Sequence, residues 1–177
     1  MIRGNGWAWM VAALLVGACG DDDGPTRSDE PDLTRADVAG QYEMTELSFD
    51  PQGSLPGVDL LARLDADDPP RLFVASNEDS LALTFVDPEG GLPRDVPGGY
   101  ELGDEDVSID FENAVEPAQI LLPPDLVLAF DSAAGTLSFG GAVHADTTRL
   151  FVLVPEWSGE PVTNPLPGTL SVTFSRD

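Results

Sequence analysis

Apolar residues recur at every second position through most of this chain, and no long helical period competes with them. The stretches "SLALTF" (80–85), "VSIDF" (107–111), "LVLAF" (126–130) and "LSVTF" (170–174) all alternate in this way. Successive side chains of a strand point to opposite faces, so the pattern is that of half-buried β-strands. The same reading predicts strands near 40–50, Arg71–Ser76, Leu81–Asp87, Gly99–Leu102, Val107–Glu112, Leu126–Asp131, Thr136–Gly140, Arg149–Val154 and Thr169–Arg176. "RLFVLVP" (149–155) is apolar on both faces, which suits a strand covered on both sides or at an interface. "DPEGG", "VPGG" and "SAAG" are turn signals. The best helical candidate, "VDLLARL" (58–64), allows two turns at most inside the long connection from Pro51 to Pro70. Nine short strands with mostly short turns predict an all-β, antiparallel up-and-down β-barrel of 8–9 strands, with a β-sandwich as the alternative.

Two local features sharpen this. In "GQYEMTELSFD" (40–50) the alternation runs through Tyr42 and Met44, slips by one and resumes at Leu47 and Phe49, as at a β-bulge. Just before it, "LTRADVAG" (33–40) offers Thr34 as N-cap and Asp37 as its capping-box partner, with Leu33 and Val38 at the hydrophobic-staple positions. One short helical turn fits there, stopped by Gly40.

The first residues read as a targeting segment. Arg3 precedes "WAWMVAALLVGA" (7–18), an apolar run of 12 residues, too short for the roughly 20 that span a bilayer. Small Gly17 and Ala18 then stand directly before Cys19, the only cysteine. "VGAC" resembles the lipobox of bacterial lipoproteins. The resemblance implies cleavage before Cys19, a diacylglycerol on its sulfur and acylation of the new amine. Several acyl chains anchor a protein stably where one does not. Residues 20–32, "GDDDGPTRSDEPD", are acidic and Pro/Gly-punctuated, the composition of a disordered tether. The expected organisation is therefore a signal peptide over 1–18, a tether over 19–32 and one domain over 33–177.

Charge limits the partners. The processed chain would keep all 32 acidic residues against seven arginines and no lysine, a net charge of −25. Such a surface repels nucleic acid and anionic headgroups. Acid clusters at 65–69, 77–80 and 103–113 raise the question of divalent cations on the surface, but none has the EF-hand ligand spacing. A single cysteine excludes an internal disulfide. No catalytic constellation is visible. His144 is the only histidine and no Gly-x-Ser-x-Gly elbow accompanies it. One His and one Cys do not make a metal centre, and no glycine-rich phosphate loop opens a helix. The expectation is a non-enzyme without cofactor or metal. Trp157, in a proline-rich loop, reads as a loop anchor or as a contact at a ligand mouth.

Strand count, order and size, with Gly40-Gln41-Tyr42 near the start and Arg176 at the end, resemble the lipocalin-like fold over residues 33–176. The family's opening motif is Gly-x-Trp, here with Tyr for Trp, and its closing strand carries an arginine that packs over that aromatic. The resemblance implies that Arg176 covers Tyr42 where the first and last strands close the barrel, leaving the opposite mouth as the entrance. It departs from the family at "PEWSGEPVTNPLPG" (155–168), whose four prolines exclude the helix that lipocalins place before their last strand. Strand parity turns Tyr42, Met44, Leu83, Phe85, Ile109, Phe111, Leu128, Phe130 and Phe139 inward. Two functions fit such a barrel. In one, Met44, Leu83, Phe85, Ile109, Phe111, Leu128, Phe130 and Phe139 line a site for a small apolar ligand under a lid at 51–70. In the other the core is filled, and the acidic outer face meets a partner or cations. Either way the expectation is a monomeric lipoprotein of the bacterial cell envelope. Gly20 after the anchor, by resemblance to enteric lipoproteins, favours the outer membrane over the inner.

Overall fold

Nine strands and two short helices form among residues 33–177, the part of the chain that the computed structural model describes. The signal segment, Cys19 and the acidic tether lie outside the described residues. The strands are β1 (Gly40–Pro51), β2 (Val58–Asp59), β3 (Arg71–Val74), β4 (Ser80–Val86), β5 (Pro93–Leu102), β6 (Asp106–Phe111), β7 (Asp125–Asp131), β8 (Thr136–Ala145) and β9 (Leu166–Arg176). The helices are α1 (Arg35–Val38) and α2 (Thr147–Leu153). From β3 to β9 each strand pairs antiparallel with the next, β1 pairs with β3, and β9 returns to pair with β1. Eight strands thus close an up-and-down barrel, and β2 is an extra strand on the second half of β1.

The bulge in β1 lies where the alternation slips. Its register against β9 shifts between Met44 and Glu46, which returns Leu47 and Phe49 to the buried face. In α1, the Thr34 amide donates to Asp37 Oδ2 at 2.9 Å, and Val38 is fully buried. Hydrogen bonds from the Thr34 hydroxyl and amide hold the Asp37 carboxyl below its ordinary pKa.

Three segments differ from their sequence reading. Arg149–Val154 is not a strand. Asp146 caps the segment, accepting from the Thr148 amide at 2.8 Å, and Thr147–Leu153 turns as α2. Its buried Thr147, Leu150 and Leu153 follow a helical spacing of three, with Val154 buried at the end. A short apolar run is ambiguous between helix and strand, and the cap together with the end of β8 decided it. Leu61–Arg63 makes a single 3₁₀ turn, and Val58–Asp59 pairs as β2 rather than joining a helix. β5 begins at Pro93, six residues before the alternation suggested, and carries Pro93 and Pro97.

The core is continuous. Tyr42, Leu47, Leu83, Val96, Val107, Leu128, Leu137, Leu170 and Val172 have no exposed surface. The same cluster takes in Val38 beneath one end of the barrel, and Leu60, Ile120, Leu150, Leu153 and Trp157 beneath the other.

Candidate functional site

At the end of the barrel where β1 begins and β9 finishes, Tyr42 and Arg176 are partners in the ladder. The Arg176 guanidinium lies 5.2 Å from the Tyr42 ring centroid and donates to its phenolic oxygen at 2.7 Å. It also lies 5.9 Å from the Phe130 ring centroid and donates to the carbonyl of Asp37. The Tyr42 hydroxyl in turn donates to the Val38 carbonyl at 2.6 Å. A cation between two rings, with its donors on a hydroxyl and a carbonyl, covers this end of the core. Burial pushes the Tyr42 phenol above its ordinary pKa, and the hydrogen bond and charge of Arg176 pull against it.

The eight residues expected to line the interior belong to the core cluster or pack against it. Met44, Leu83, Phe85, Ile109, Phe111 and Leu128 each expose at most 4% of their surface. Phe130 is half-buried beneath Arg176. Phe139 is half-buried too, its ring folded over Gly141, where an added Cβ would meet it at 2.7 Å. The interior is therefore packed with side chains.

The opposite mouth is also covered. α2, the 3₁₀ turn at Pro117–Ile120 and the 3₁₀ turn at Pro155–Trp157 bring Ile120, Leu150, Leu153 and Trp157 over the core. Trp157 is 5% exposed and acts as an anchor of its loop. Two ion pairs bind these coverings to the strand connections, Arg63 with Glu156 and Arg149 with Glu89. The connection at 51–70 contributes buried Leu60, whose amide donates to Leu47 O at 2.8 Å.

Beside this mouth a cleft of about 410 Å³ runs along the last residues of β8. Ala142, Val143 and exposed His144 form one wall, and Leu121, Pro123 and Pro124 the other. Sequence reasoning passed over this place because it is made by strands that part, and alternation carries no mark of that.

Charge is distributed unevenly. The domain holds 26 acidic residues and six arginines. Arg35 pairs with Asp79, Arg63 with Glu156, Arg71 with Glu43 and Asp68, Arg94 with Asp87, and Arg149 with Glu89. Arg176 is spent on Tyr42 and Asp37. The acid clusters are drawn into local turns: Asp65 accepts from the Asp67 amide at 3.0 Å, and Asp106 packs over Gly103. Among the described residues no three His, Cys, Asp or Glu side chains converge as a metal-binding group.

No protein-family model matches this chain, and neither a curated protein nor a solved structure gives a significant match to it.

Proposed function

We propose that this chain is a lipid-anchored lipoprotein of the bacterial cell envelope, whose lipocalin-like barrel works through its outer surface as an interaction module. The single observation that carries the reading is the packed interior. Side chains occupy the space in which a lipocalin would hold its ligand, and both ends are covered. Small barrels of eight strands are either filled or hold one small ligand, and bulk at the inward positions favours the filled kind. The helix between β8 and β9 supports the lipocalin-like assignment, since the family's pattern asks for one before the last strand. α2 supplies it ahead of the proline-rich segment.

The anchor is the lipid on Cys19, with the acidic tether holding the barrel away from the bilayer; the outer membrane is the favoured site. The domain works as a monomer, without cofactor and without catalysis. Its acidic surface gathers cationic partners or divalent ions and repels nucleic acid.

Two measurements test this. Cys19→Ser should leave the protein unprocessed or soluble on membrane fractionation; a variant still processed and membrane-bound would refute the anchor. The full-length chain in detergent should give no saturable fluorescence increase with cis-parinaric acid beyond that of protein-free micelles. Stoichiometric uptake, abolished by Leu83→Trp, would restore the apolar-ligand reading.

A further inference from the structure

β7 and β8 start as neighbours and then part. Their ladder has three pairs, Asp131 with Thr136, Phe130 with Leu137, and Ala129 with Ser138. The next pairs in that register would set Val127 against Gly140 and Asp125 against Ala142, and they are not formed. β7 is nevertheless held to β6 as far as Asp125, and β8 to β9 as far as Ala145. Two edges therefore face a shared seam, with the 410 Å³ cleft at its wide end. Pro123 and Pro124, on the wall opposite β8, have no amide hydrogen to offer across it.

The direction of the free backbone groups follows from the ladder. The Arg176 amide donates to Gly135 O at 2.9 Å, so Gly135 and each second residue after it, through Ala145, turn their backbone groups to β9. Gly140, Ala142 and His144 turn theirs to the seam. All three are exposed, and nothing lies within 4 Å of where a Cβ on Gly140 would stand. By the same alternation, the Phe130 amide donates to Glu105 O at 2.9 Å, so Asp125 and Val127 also face the seam. Val127 is 55% exposed. Among the described residues none of these five has a ladder partner on that side.

Sheet edges in monomers are commonly blunted with charge or proline. The first part of β5, laddered to β4 but not to β6, is treated in that way, with Pro93, Arg94, Asp95 and Pro97 within five residues. The β8 edge reads Phe139-Gly140-Gly141-Ala142-Val143-His144-Ala145, with no proline and no acidic or arginine residue. Acids stand beside it: Asp125 on the facing strand and Asp146 at the end of the cleft are both exposed.

We propose that the β7–β8 seam is a docking site for an extended, basic segment of a partner polypeptide, which adds to β8 as a strand. This rests on the filled-barrel interaction reading and names its surface. Main-chain bonds to Gly140, Ala142 and His144 supply affinity, as in other cases of strand addition. Small apolar side chains on the inward face of the segment enter the cleft beside Val143, which lies on the opposite face of β8 from exposed Ala142 and His144. Lysines or arginines on the other face meet Asp125, Asp146 and the surplus of carboxylates. A second copy of this chain is the wrong occupant, because each domain brings 26 acids against six arginines.

The test uses the full-length chain in detergent and a fluorescein-labelled lysine–valine alternating octapeptide, followed by anisotropy. Saturable binding is expected, with at least a tenfold loss when alternate amides of the peptide are N-methylated, which keeps the charge and removes the donors. Equal binding of the methylated peptide would overturn the proposal by reducing the contact to charge alone. Ala142→Lys should weaken binding at least tenfold, while Leu92→Lys, the same charge change on an exposed turn far along the chain, should change it less than threefold. Equal effects of the two variants would also overturn it, as would a concentration-dependent dimer that Ala142→Lys abolishes. Cis-parinaric uptake reports on the interior alone, so failure there leaves a distinct signature from failure at the seam.

Discussion

Arg176 and Tyr42 are ladder partners on the two strands that close the barrel, and the guanidinium sits 5.2 Å from the ring centroid while donating to the phenolic oxygen. The contact couples closure of the sheet to burial of its end. Arg176→Met keeps most of the aliphatic stem and removes the charge and donors. It should lower stability by about 1–3 kcal/mol, the range for a cation–π contact together with a lost charge-assisted hydrogen bond. Urea denaturation checks it, and an unchanged midpoint would show a solvated terminal residue.

The two tyrosines of the chain are both buried and both donate to backbone carbonyls, Tyr42 to Val38 and Tyr100 to Ala75 at 2.7 Å. Burial raises both phenols. The native state therefore holds its protons above pH 10, where unfolded tyrosine ionises at about 10. Their contribution to stability is present below pH 10 and is lost as pH rises through the raised native values. Absorbance at 295 nm near pH 10 should show less phenolate in the native protein than in denaturant, where each tyrosine is about half ionised. In Arg176→Met, Tyr42 should ionise at still higher pH, because the opposing charge is gone.

Asp87 is the buried carboxylate of the β4–β5 turn, with a side chain 7% exposed. It accepts from Arg94 Nη2 at 2.6 Å and from the amides of Glu89 and Gly90 at 2.9 and 3.3 Å. The Arg94 hydrogen bond, then that of Glu89, lowers its pKa. A lowered native pKa means the contribution is complete above the unfolded value of about 3.9 and is lost as pH falls through the native one. Asp87→Asn should destabilise by about 1–3 kcal/mol at pH 7. The difference from wild type should shrink in thermal melts below pH 4; a difference independent of pH would assign the effect to packing.

Gly168 is the ladder partner of Pro51 and lies diagonal to Phe49, and an added Cβ would stand 2.4 Å from the Phe49 ring and 2.7 Å from Asp50 O. Gly168→Ala should cost about 1–3 kcal/mol through overpacking. Phe49→Leu in the same chain should recover part of that loss, and a double-mutant cycle measures the coupling. Additive effects would mean that the ring is not held over the glycine.

Alternation was enough to locate eight strands, β5 only in its second half, and the β1 bulge, because a side chain's face depends on residue parity and the core tolerates no slip. The closing pair of strands was expected from parity together with the resemblance carried by Gly40-Gln41-Tyr42 and Arg176. What parity could not decide was what covers the other mouth. Residues 149–154 are apolar enough for either element, and only the Asp146 cap and the core beneath α2 select the helix. Nor could it decide whether the barrel holds a space, since filling depends on how Met44, Phe85 and Phe111 interdigitate across strands far apart in the chain. The seam belongs to the same class. Each strand is correct by itself, and the opening between β7 and β8 arises from the way the whole sheet curves to close, which no single strand encodes.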